Sequence, residues 1–184
     1  GAHRRSHCQG DGTDQGVDQR MMKLLDLFCG AGGAAKGYQQ AGFHVTGVDL
    51  KPQPHYIGDA FIQGDALVFL SEHGAEYDAV HTSPPCQWIT HAAIQWRNRG
   101  RTYENLLAPT REALIDLAKP YVIEQPVGQV LNNPIMLNGA MFGMLVKRDR
   151  FFETNWDCPM VLLPTAPKPR KMGRPWDARK GELF

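Results

Sequence analysis

Two residues that could carry chemistry follow predicted strands, a cysteine in a proline turn and a glutamate. Cys86 stands between Pro85 and Gln87. Because proline fixes the backbone dihedral φ, this turn would hold the sulfur in one position. A thiolate held there could attack an electron-poor ring carbon, and Glu124, after residues 121–123, could supply a proton or hold a ring nitrogen. The residue types alone leave a second interpretation of Cys86 open, a buried inert thiol.

A glycine-rich turn between a predicted strand and a predicted helix is typical of nucleotide-binding sites. Residues 24–28 form a short apolar run, and Gly30, Gly32 and Gly33 follow it. Without a Cβ, these glycines permit a tight turn and close approach of a ligand. Asp49 ends the next predicted strand, where a carboxylate can accept hydrogen bonds from a ribose. This pattern indicates a nucleoside-type cofactor, and the alternative is a tight turn with a capping carboxylate.

Strands and helices alternate along the chain. The predicted strands cover residues 24–28, 43–48, 60–63, 78–82 and 121–123, and the predicted helices cover residues 34–41, 66–73 and 104–118. The alternation predicts an α/β fold with a doubly wound, mostly parallel sheet. Because parallel strands end at a common edge, we expect Asp49, Asp65, Cys86 and Glu124 to meet in one pocket. Asp65 could equally be the N-cap of the helix that follows it.

Three further segments complete the predicted domain. A single helical turn is predicted over residues 127–131, and a late hairpin over residues 141–146 and 150–154. Residues 88–102 are predicted to form a long polar loop that carries Trp96 with Arg97, Arg99 and Arg101. Its arginines could contact nucleic-acid phosphates, or the loop could be a solvated mobile segment.

Length and composition exclude several classes of protein. The 184 residues suffice for one domain with a real core, and the net charge is +1. No apolar run approaches the roughly 20 residues of a membrane span, and no secretory signal follows the N-terminus. The four cysteines, Cys8, Cys29, Cys86 and Cys158, form no C-x-x-C pair. We therefore predict a reducing cytoplasm, with no disulfide framework and no metal site.

Both ends of the chain differ in composition from its middle. Residues 1–20 are polar, and we expect them to be disordered or an expression remnant. Residues 21–158 are predicted to be the catalytic domain, and residues 159–184 a basic, proline-rich tail. The basic residues of that tail, which could contact phosphate or be disordered, are Lys168, Arg170, Lys171, Arg174, Arg179 and Lys180.

In type and order, these motifs resemble those of the DNA (cytosine-5)-methyltransferase family. The similar segments are Phe28-Cys-Gly-Ala-Gly-Gly33, Pro84-Pro-Cys-Gln87, Glu124 after residues 121–123, residues 137–143 and Arg148-Asp-Arg150 with the residues up to 153. The resemblance covers roughly residues 24–154. It implies a Rossmann-like class I S-adenosylmethionine-dependent methyltransferase fold, with S-adenosylmethionine as the methyl donor.

The resemblance also implies a role for each matching residue. Cys86 would add to C6 of a cytosine flipped out of duplex DNA, and Glu124 would contact N3 and the exocyclic amine. Arg148 and Arg150 would position the base. The residues implied to bind the cofactor are Phe28, Cys29, Gly30, Ala31, Gly32, Gly33, Asp49, Leu50, Asp65, Ala66 and Pro84. The implied partner is DNA. Composition and size, in contrast, predict that no membrane and no metal take part and that the protein is cytoplasmic, of prokaryotic or viral origin.

The sequence departs from the family pattern at several positions. Gln125 and Pro126 stand where the family usually has Asn-Val, Asp49 replaces a more frequent glutamate, and Val146 replaces a frequent glutamine. Only 34 residues follow Arg150, without a target-recognition domain or the final Gly-Asn motif. We therefore expect a truncated or unusually small member.

Three alternative functions fit part of the pattern. The same fold could act on RNA or on a free nucleotide, or the chain could be a catalytically silent relative that binds nucleic acid or a partner. An NAD-linked oxidoreductase is the third, because Gly30, Gly32 and Ala35 nearly fit the dinucleotide fingerprint. Nothing in dehydrogenase chemistry requires the Pro-Pro-Cys-Gln turn.

Overall fold

The computed structural model describes residues 20–146 and 148–157, which contain a sheet of seven strands flanked by helices. The strands are β1 (Lys23–Leu27), β2 (His44–Asp49), β3 (Ala60–Gln63), β4 (Ala79–Thr82), β5 (Tyr121–Gln125), β6 (Ile135–Asn138) and β7 (Asp149–Thr154). The helices are α1 (Gly33–Gln40), α2 (Ala66–His73), α3 (Ile94–Arg97) and α4 (Leu107–Leu117). Short 3-10 turns cover Gly74–Glu76, His91–Ala93, Gly128–Val130 and Gly139–Phe142.

The strand order across the sheet is β3-β2-β1-β4-β5-β7-β6. Strands β1 to β5 pair in parallel, and β7 is antiparallel to both of its neighbours, β5 and β6. The order reverses between β1 and β4, which creates a crevice at the carboxyl ends of these strands, where such sheets bind ligands. The predicted doubly wound, mostly parallel α/β sheet is confirmed.

Each face of the sheet has its own apolar core. On one face, Leu24 and Val45 pack with Ala35 of α1. On the other face, Leu25 of β1 belongs to a larger cluster that includes Leu114 of α4. Because strands covered on both sides bury every side chain, β1 is a continuous apolar run apart from Lys23 and the buried Asp26. This double covering fixes the carboxyl ends of β1, β4 and β5 relative to one another.

The predicted late hairpin over residues 141–146 and 150–154 is wrong in its first arm. The strand that forms the hairpin with β7 is β6, which lies earlier in the chain than the predicted arm. The Asn138 side chain accepts a hydrogen bond from the Ala140 amide at 2.8 Å and starts a 3-10 turn instead. Met144, Leu145 and Val146 are exposed, so their apolar run, which resembled a strand, packs on no described core.

The segment predicted as a loop over residues 88–102 is partly helical. It contains the 3-10 turn His91–Ala93 and the helix α3. The Arg97 guanidinium donates to the backbone carbonyls of Gln87 and Thr90, the latter at 3.1 Å, and so fastens this segment to the turn around Cys86. A side chain that binds backbone ten residues away leaves no periodic signal in the sequence.

Several predictions concern residues that the structure does not describe. Residues 1–19, Lys147 and residues 158–184 lie outside the described ranges, and with them Cys8, Cys158 and the basic residues of the tail. Among residues 20–146 and 148–157, the helices are all too short or too polar to cross a bilayer.

Candidate active site

A cleft of about 490 Å³ opens at the carboxyl ends of the parallel strands. The predicted site residues that line it are Phe28, Asp49, Leu50, Asp65, Ala66, Pro84, Cys86, Glu124 and Arg150. The predicted meeting of the strand-end side chains is thereby confirmed. The predicted residues absent from its lining are Cys29, Gly30, Ala31, Gly32, Gly33 and Arg148.

The glycine turn is held by a carboxylate. Gly30 donates its backbone N–H to Asp49 Oδ2 at 3.0 Å, and Lys51 donates its backbone N–H to Asp49 Oδ1 at 3.0 Å. The capping interpretation of Asp49 is therefore confirmed. Because a carboxylate offers about four acceptor sites, capacity for a ribose hydroxyl remains. Phe28, which enters the turn, has a φ of 55°, a conformation that non-glycine residues rarely adopt and that clusters at functional sites.

Glycine is required at position 32 both by the backbone conformation and by a neighbouring side chain. Gly32 has a φ of 86°, and a Cβ there would lie 2.9 Å from the Tyr56 ring.

The thiol of Cys29, in the same turn, is not activated. Burial, with a smaller effect of the Asp26 and Asp49 charges, raises the pKa of the Cys29 thiol to about 12. Cys29 therefore stays a neutral thiol and is unsuited to act as a nucleophile.

Asp65 is the N-cap of α2. Its Oδ1 accepts hydrogen bonds from the backbone N–H groups of Leu67 at 2.8 Å and Val68 at 3.0 Å. The capping alternative is therefore confirmed. Asp65 also lines the cleft, and neither of these two hydrogen bonds uses Oδ2. One carboxylate can thus cap the helix and still accept a hydrogen bond from a ligand.

The turn that carries Cys86 is fixed from two sides. The Cys86 carbonyl accepts hydrogen bonds from the amides of Ile89 at 3.1 Å and Thr90 at 3.0 Å. From β5, the fully buried Gln125 donates its Nε2–H to the Pro84 carbonyl at 2.7 Å. Gln125 thus connects the strand that carries Glu124 to the turn that carries the half-buried Cys86.

Glu124 and Arg150 form an ion pair inside the cleft. Arg150 Nε lies 2.6 Å from Glu124 Oε1. This buried oxygen nevertheless has no aligned hydrogen-bond donor among the described residues, so the contact is electrostatic proximity rather than a directed hydrogen bond. Burial raises the pKa of the Glu124 carboxyl, and the Arg150 charge, the nearby Ser83 hydroxyl and the Arg148 charge oppose that rise. Burial prevails, so Glu124 holds a proton more readily than an ordinary glutamate.

Arg148 differs from Arg150 in position. It is exposed and does not line the cleft, although its charge reaches Glu124. The structure therefore brings only one of the paired arginines against the glutamate.

Two arginines stack on an aromatic ring beside the cysteine turn. The guanidinium carbons of Arg99 and Arg101 lie 5.2 Å and 4.9 Å from the centre of the Trp96 ring. Both arginines are exposed, and stacking on the ring leaves their N–H groups available to a ligand. Trp96 with these two arginines is called the basic platform below.

Sequence reasoning missed part of the cleft lining. The additional lining residues are Lys51, Gln53, Ser83, Pro85, Gln87, Leu106 and Pro126. Ser83, Pro85, Gln87 and Pro126 adjoin predicted residues and could have been found from the motifs. Leu106 comes from the segment before α4 and has no local signal. Within the described part of the chain, no three acidic, cysteine or histidine residues are grouped as metal ligands would be.

The search of protein-family models finds no match to this sequence, and the search of curated proteins finds none either. A hypothetical protein of Thermus thermophilus is 17% identical at a TM-score of 0.47, with 72% of this chain and 73% of that chain covered. An S-adenosylmethionine-dependent methyltransferase from Agrobacterium tumefaciens is 16% identical at a TM-score of 0.38, with 75% and 57% covered.

A third structure is the MycE methyltransferase of mycinamycin biosynthesis in complex with Mg and SAH. It is 14% identical at a TM-score of 0.37, with 73% of this chain and 41% of that chain covered. The chain thus spans less than two thirds of the two methyltransferase structures. Scores below 0.5 at such identities are uninformative about activity.

Proposed function

We propose that this chain transfers a methyl group from S-adenosylmethionine to C5 of cytosine in DNA, through a covalent bond between Cys86 and C6. One observation carries the proposal: Cys86, Glu124 and Arg150 line the same cleft as Asp49 and Asp65. A nucleophile and an acid therefore adjoin a place suited to a nucleoside-type donor. The same proposal assigns the catalytic domain to residues 21–158. It also places the protein in the cytoplasm, of a prokaryote or of the host of a virus.

The glycine-turn side of the cleft fits the donor. A volume of about 490 Å³ lies within the roughly 300–1,000 Å³ range of small-molecule sites. Asp49 and Asp65 each retain acceptor capacity, which suits the ribose hydroxyls and the adenine amine of the donor. Phe28, Leu50 and Ala66 supply apolar lining beside them. When bound, S-adenosylmethionine supplies an electrophilic methyl group on a sulfonium.

Cys86 makes cytosine reactive in this proposal. C5 of cytosine is a poor nucleophile, so the ring is first activated by addition of the Cys86 sulfur to C6. The proline turn and the hydrogen bond from Gln125 to Pro84 hold that sulfur in place. C5 then forms a bond to the methyl carbon while the bond from that carbon to the sulfonium sulfur breaks, which leaves a neutral thioether as the co-product. Loss of the C5 proton restores the double bond and releases the sulfur.

Glu124 stabilises the charge that develops on the ring. As sulfur adds to C6, electron density moves to N3, and a carboxyl that holds a proton can donate it there. Because burial raises the pKa of Glu124, its protonated form is more populated at neutral pH than that of an exposed glutamate. Arg150, 2.6 Å away, keeps the carboxyl oriented.

DNA is the proposed partner because exposed arginines lie on the segment beside the cysteine turn, where they could bind the phosphates that flank the target cytosine. The basic platform lies on the segment that follows Cys86. Arginines can contact phosphates there, and the ring face of Trp96 can receive an unstacked base. The target base would reach Cys86 by flipping out of the duplex.

The test is transfer of an isotopically labelled methyl group to duplex DNA, followed by analysis of the modified base. We expect label at C5 of cytosine, and no transfer by Cys86→Ser. Cys29→Ser is the matched control, because that thiol lies outside the cleft lining, and it retains transfer. Label on RNA or a free nucleotide, with none on duplex DNA, would overturn the choice of substrate. No transfer to any of them would favour a catalytically silent binding protein.

A further inference from the structure

The ring of Tyr56 fills a slot that three glycines leave open beside the glycine turn. A Cβ added at Gly32 would lie 2.9 Å from the nearest atom of this ring. The corresponding distance is 2.3 Å at Gly47 and 2.4 Å at Gly58. Because packed carbon atoms do not approach one another so closely, the ring requires glycine at all three positions. The space between Gly32, Gly47 and Gly58 is called the glycine slot below.

The glycine slot encloses the ring from more than one side. The atoms nearest to a Cβ at Gly32 would be Cδ2 and Cε2 of the ring, and those nearest to a Cβ at Gly58 would be Cε1 and the hydroxyl oxygen. Gly47 lies on β2. The ring of Tyr56 also packs against the apolar core on the α1 face of the sheet. It is therefore held between the glycine turn, β2 and the segment that precedes β3.

The segment that carries Tyr56 joins a wall of the cleft to the glycine turn. Residues 50–59 connect β2 to β3, and three of them, including Gln53, line the cleft. The Tyr56 amide donates a hydrogen bond to the Gln53 carbonyl at 3.0 Å, and the next amide, of Ile57, donates to the Ala31 carbonyl at 3.2 Å. One connection thus forms part of the cleft wall and binds the backbone of the glycine turn.

The ring of Tyr56, rather than its hydroxyl, makes the contacts in the slot. The hydroxyl oxygen is buried and has no hydrogen-bond partner among the described residues. A buried hydroxyl without a partner contributes nothing favourable to stability. Packing of the aromatic ring therefore accounts for its position.

We propose that Tyr56 is a positioning residue for the methyl donor, which holds the glycine turn and the neighbouring cleft wall at the spacing that S-adenosylmethionine requires. Tyr56 does not itself line the cleft, so it acts through the residues on either side of it. Because the slot is already filled in the free protein, donor binding does not have to order the turn. The inference deepens the proposed function and rests on its assignment of the donor to this side of the cleft.

The first test is amide hydrogen exchange of the free protein, which requires neither the donor nor activity. In Tyr56→Ala, the amides of residues 29–33 and of Ile57 should exchange faster, while those of β5 stay protected. Tyr56→Phe keeps the ring and should exchange like the unmodified protein. Unchanged exchange of the turn in Tyr56→Ala would overturn the inference. An equal increase in β5 would also contradict it, because the effect would then be a general loss of stability.

The second test is the Kd for S-adenosylmethionine, measured by calorimetry. Tyr56→Ala should raise the Kd about tenfold, and Tyr56→Phe should leave it unchanged. Methyl transfer per folded molecule at saturating donor should be the same in all three proteins, because Tyr56 touches no reacting atom. An unchanged Kd in Tyr56→Ala, or an equal rise in Tyr56→Phe, would contradict the role of the ring.

A double variant tests whether the glycine slot exists for the ring. Gly47→Ala places a Cβ against Tyr56, so the Kd for S-adenosylmethionine should rise about as much as in Tyr56→Ala. In the Tyr56→Ala background the same change should add almost nothing, because the ring is absent. Gly37→Ala is the matched control with an unchanged Kd, because a Cβ at this exposed position on α1 would meet no other atom within 4 Å.

The outcomes separate this inference from the proposed function. Independent, multiplying effects of Gly47→Ala and Tyr56→Ala on the Kd would contradict the contact between them and overturn the inference. If the unmodified protein binds S-adenosylmethionine but transfers no methyl group, the proposed function fails. The exchange and affinity results would in that case still decide the role of Tyr56.

Discussion

Two glutamates on neighbouring strands each face an arginine, yet their surroundings differ. Glu124 lies on β5 beside Arg150, and Glu153 lies on β7 beside Arg111. Ile123 is the register partner of Glu153, and Phe152 is the partner of Glu124. Because side chains alternate along a strand, the two carboxyls point to opposite faces of the sheet.

Glu153 has a complete set of hydrogen bonds. Arg111 donates to both of its oxygens, from Nε at 2.8 Å and from a terminal nitrogen at 2.7 Å, and the Asn132 amide donates at 2.7 Å. Arg111 also donates to the Val130 carbonyl at 2.9 Å. This pair therefore joins α4, β7 and the segment after β5.

Glu124 has an incomplete set. Its Oε1 lies close to Arg150 but lacks an aligned donor among the described residues, and burial raises its pKa. A buried carboxylate with a full set of hydrogen bonds, such as Glu153, thus stabilises the folded structure. A partly bonded one in a cleft keeps its capacity for a ligand, at some expense in stability.

The largest expected effect is on catalysis at Glu124. Glu124→Gln keeps the shape but cannot donate a carboxyl proton, so methyl transfer should fall about a thousandfold, which is about 4 kcal/mol in the barrier. Thermal unfolding should not move to lower temperature, because the variant removes a buried, partly bonded carboxyl. Transfer close to the unmodified rate would show that Glu124 is not the acid.

Glu153→Gln tests the other side of the comparison. The loss of one charge leaves Arg111 without its charged partner, so the free energy of unfolding should fall by about 3 kcal/mol. Urea denaturation measures this change. Methyl transfer per folded molecule should be nearly unchanged, because Glu153 lies outside the cleft lining. A large loss of methyl transfer per folded molecule would show that Glu153 also acts in the reaction, and it would remove the distinction between the two ion pairs.

Asp26 is a third buried carboxyl, with an unpartnered Oδ2 among the described residues, and it is 1% exposed. Burial, with the Asp49 charge, raises its pKa to about 7. The folded state thus keeps a proton that the unfolded state loses above about pH 3.8, so Asp26 lowers stability as pH rises from 3.8 to about 7.

Asp26→Asn should remove that loss. The free energy of unfolding should rise by about 2 kcal/mol at about pH 8.5. This is less than the full pKa shift of Asp26 implies, because an amide is also costly to bury. The gain should be smaller at about pH 5, where the folded carboxyl is still protonated. Denaturation at the two pH values measures the difference. An equal gain at both would show that Asp26 does not titrate between them.

The smallest expected effect concerns Asp65, whose carboxylate both caps α2 and lines the cleft. Asp65→Asn keeps a capping oxygen, so stability should change by less than about 0.5 kcal/mol. An amide N–H₂ would then replace the second oxygen, and the Kd for S-adenosylmethionine should rise about tenfold. Calorimetry measures this affinity, and an unchanged Kd would assign Asp65 to capping alone.

The sequence predicted what local patterns encode. The apolar runs of β1, β2 and β3 and the glycine turn place Asp49, Asp65, Cys86 and Glu124 at one edge of the sheet, and the structure confirms this. β6 was missed because Met144, Leu145 and Val146 form a run that is about as apolar as residues 135–137 and lies nearer to β7 along the chain. Periodicity reports side-chain polarity but does not reveal which segment finds a partner strand.

Local sequence patterns also could not predict the hydrogen bonds that side chains make to residues far away in the chain. Arg111 and Glu153 are 42 residues apart, and Gln125 and Pro84 are 41 residues apart. Nothing in the local spacing distinguishes Glu153, which is structural, from Glu124. Only the completed set of hydrogen bonds around each carboxyl separates the two, and that set requires the folded chain.

The most direct test of the central claim is the covalent adduct on Cys86. Duplex DNA that contains 5-fluorocytosine would be incubated with the protein and S-adenosylmethionine. A fluorine at C5 cannot be lost as the C5 proton is, so the bond between Cys86 and C6 would persist. The account predicts a stable protein–DNA complex that carries one added methyl group, with the linkage mapped by mass spectrometry to Cys86 and absent in Cys86→Ala. An adduct that persists in Cys86→Ala, or that maps to another residue, would contradict it.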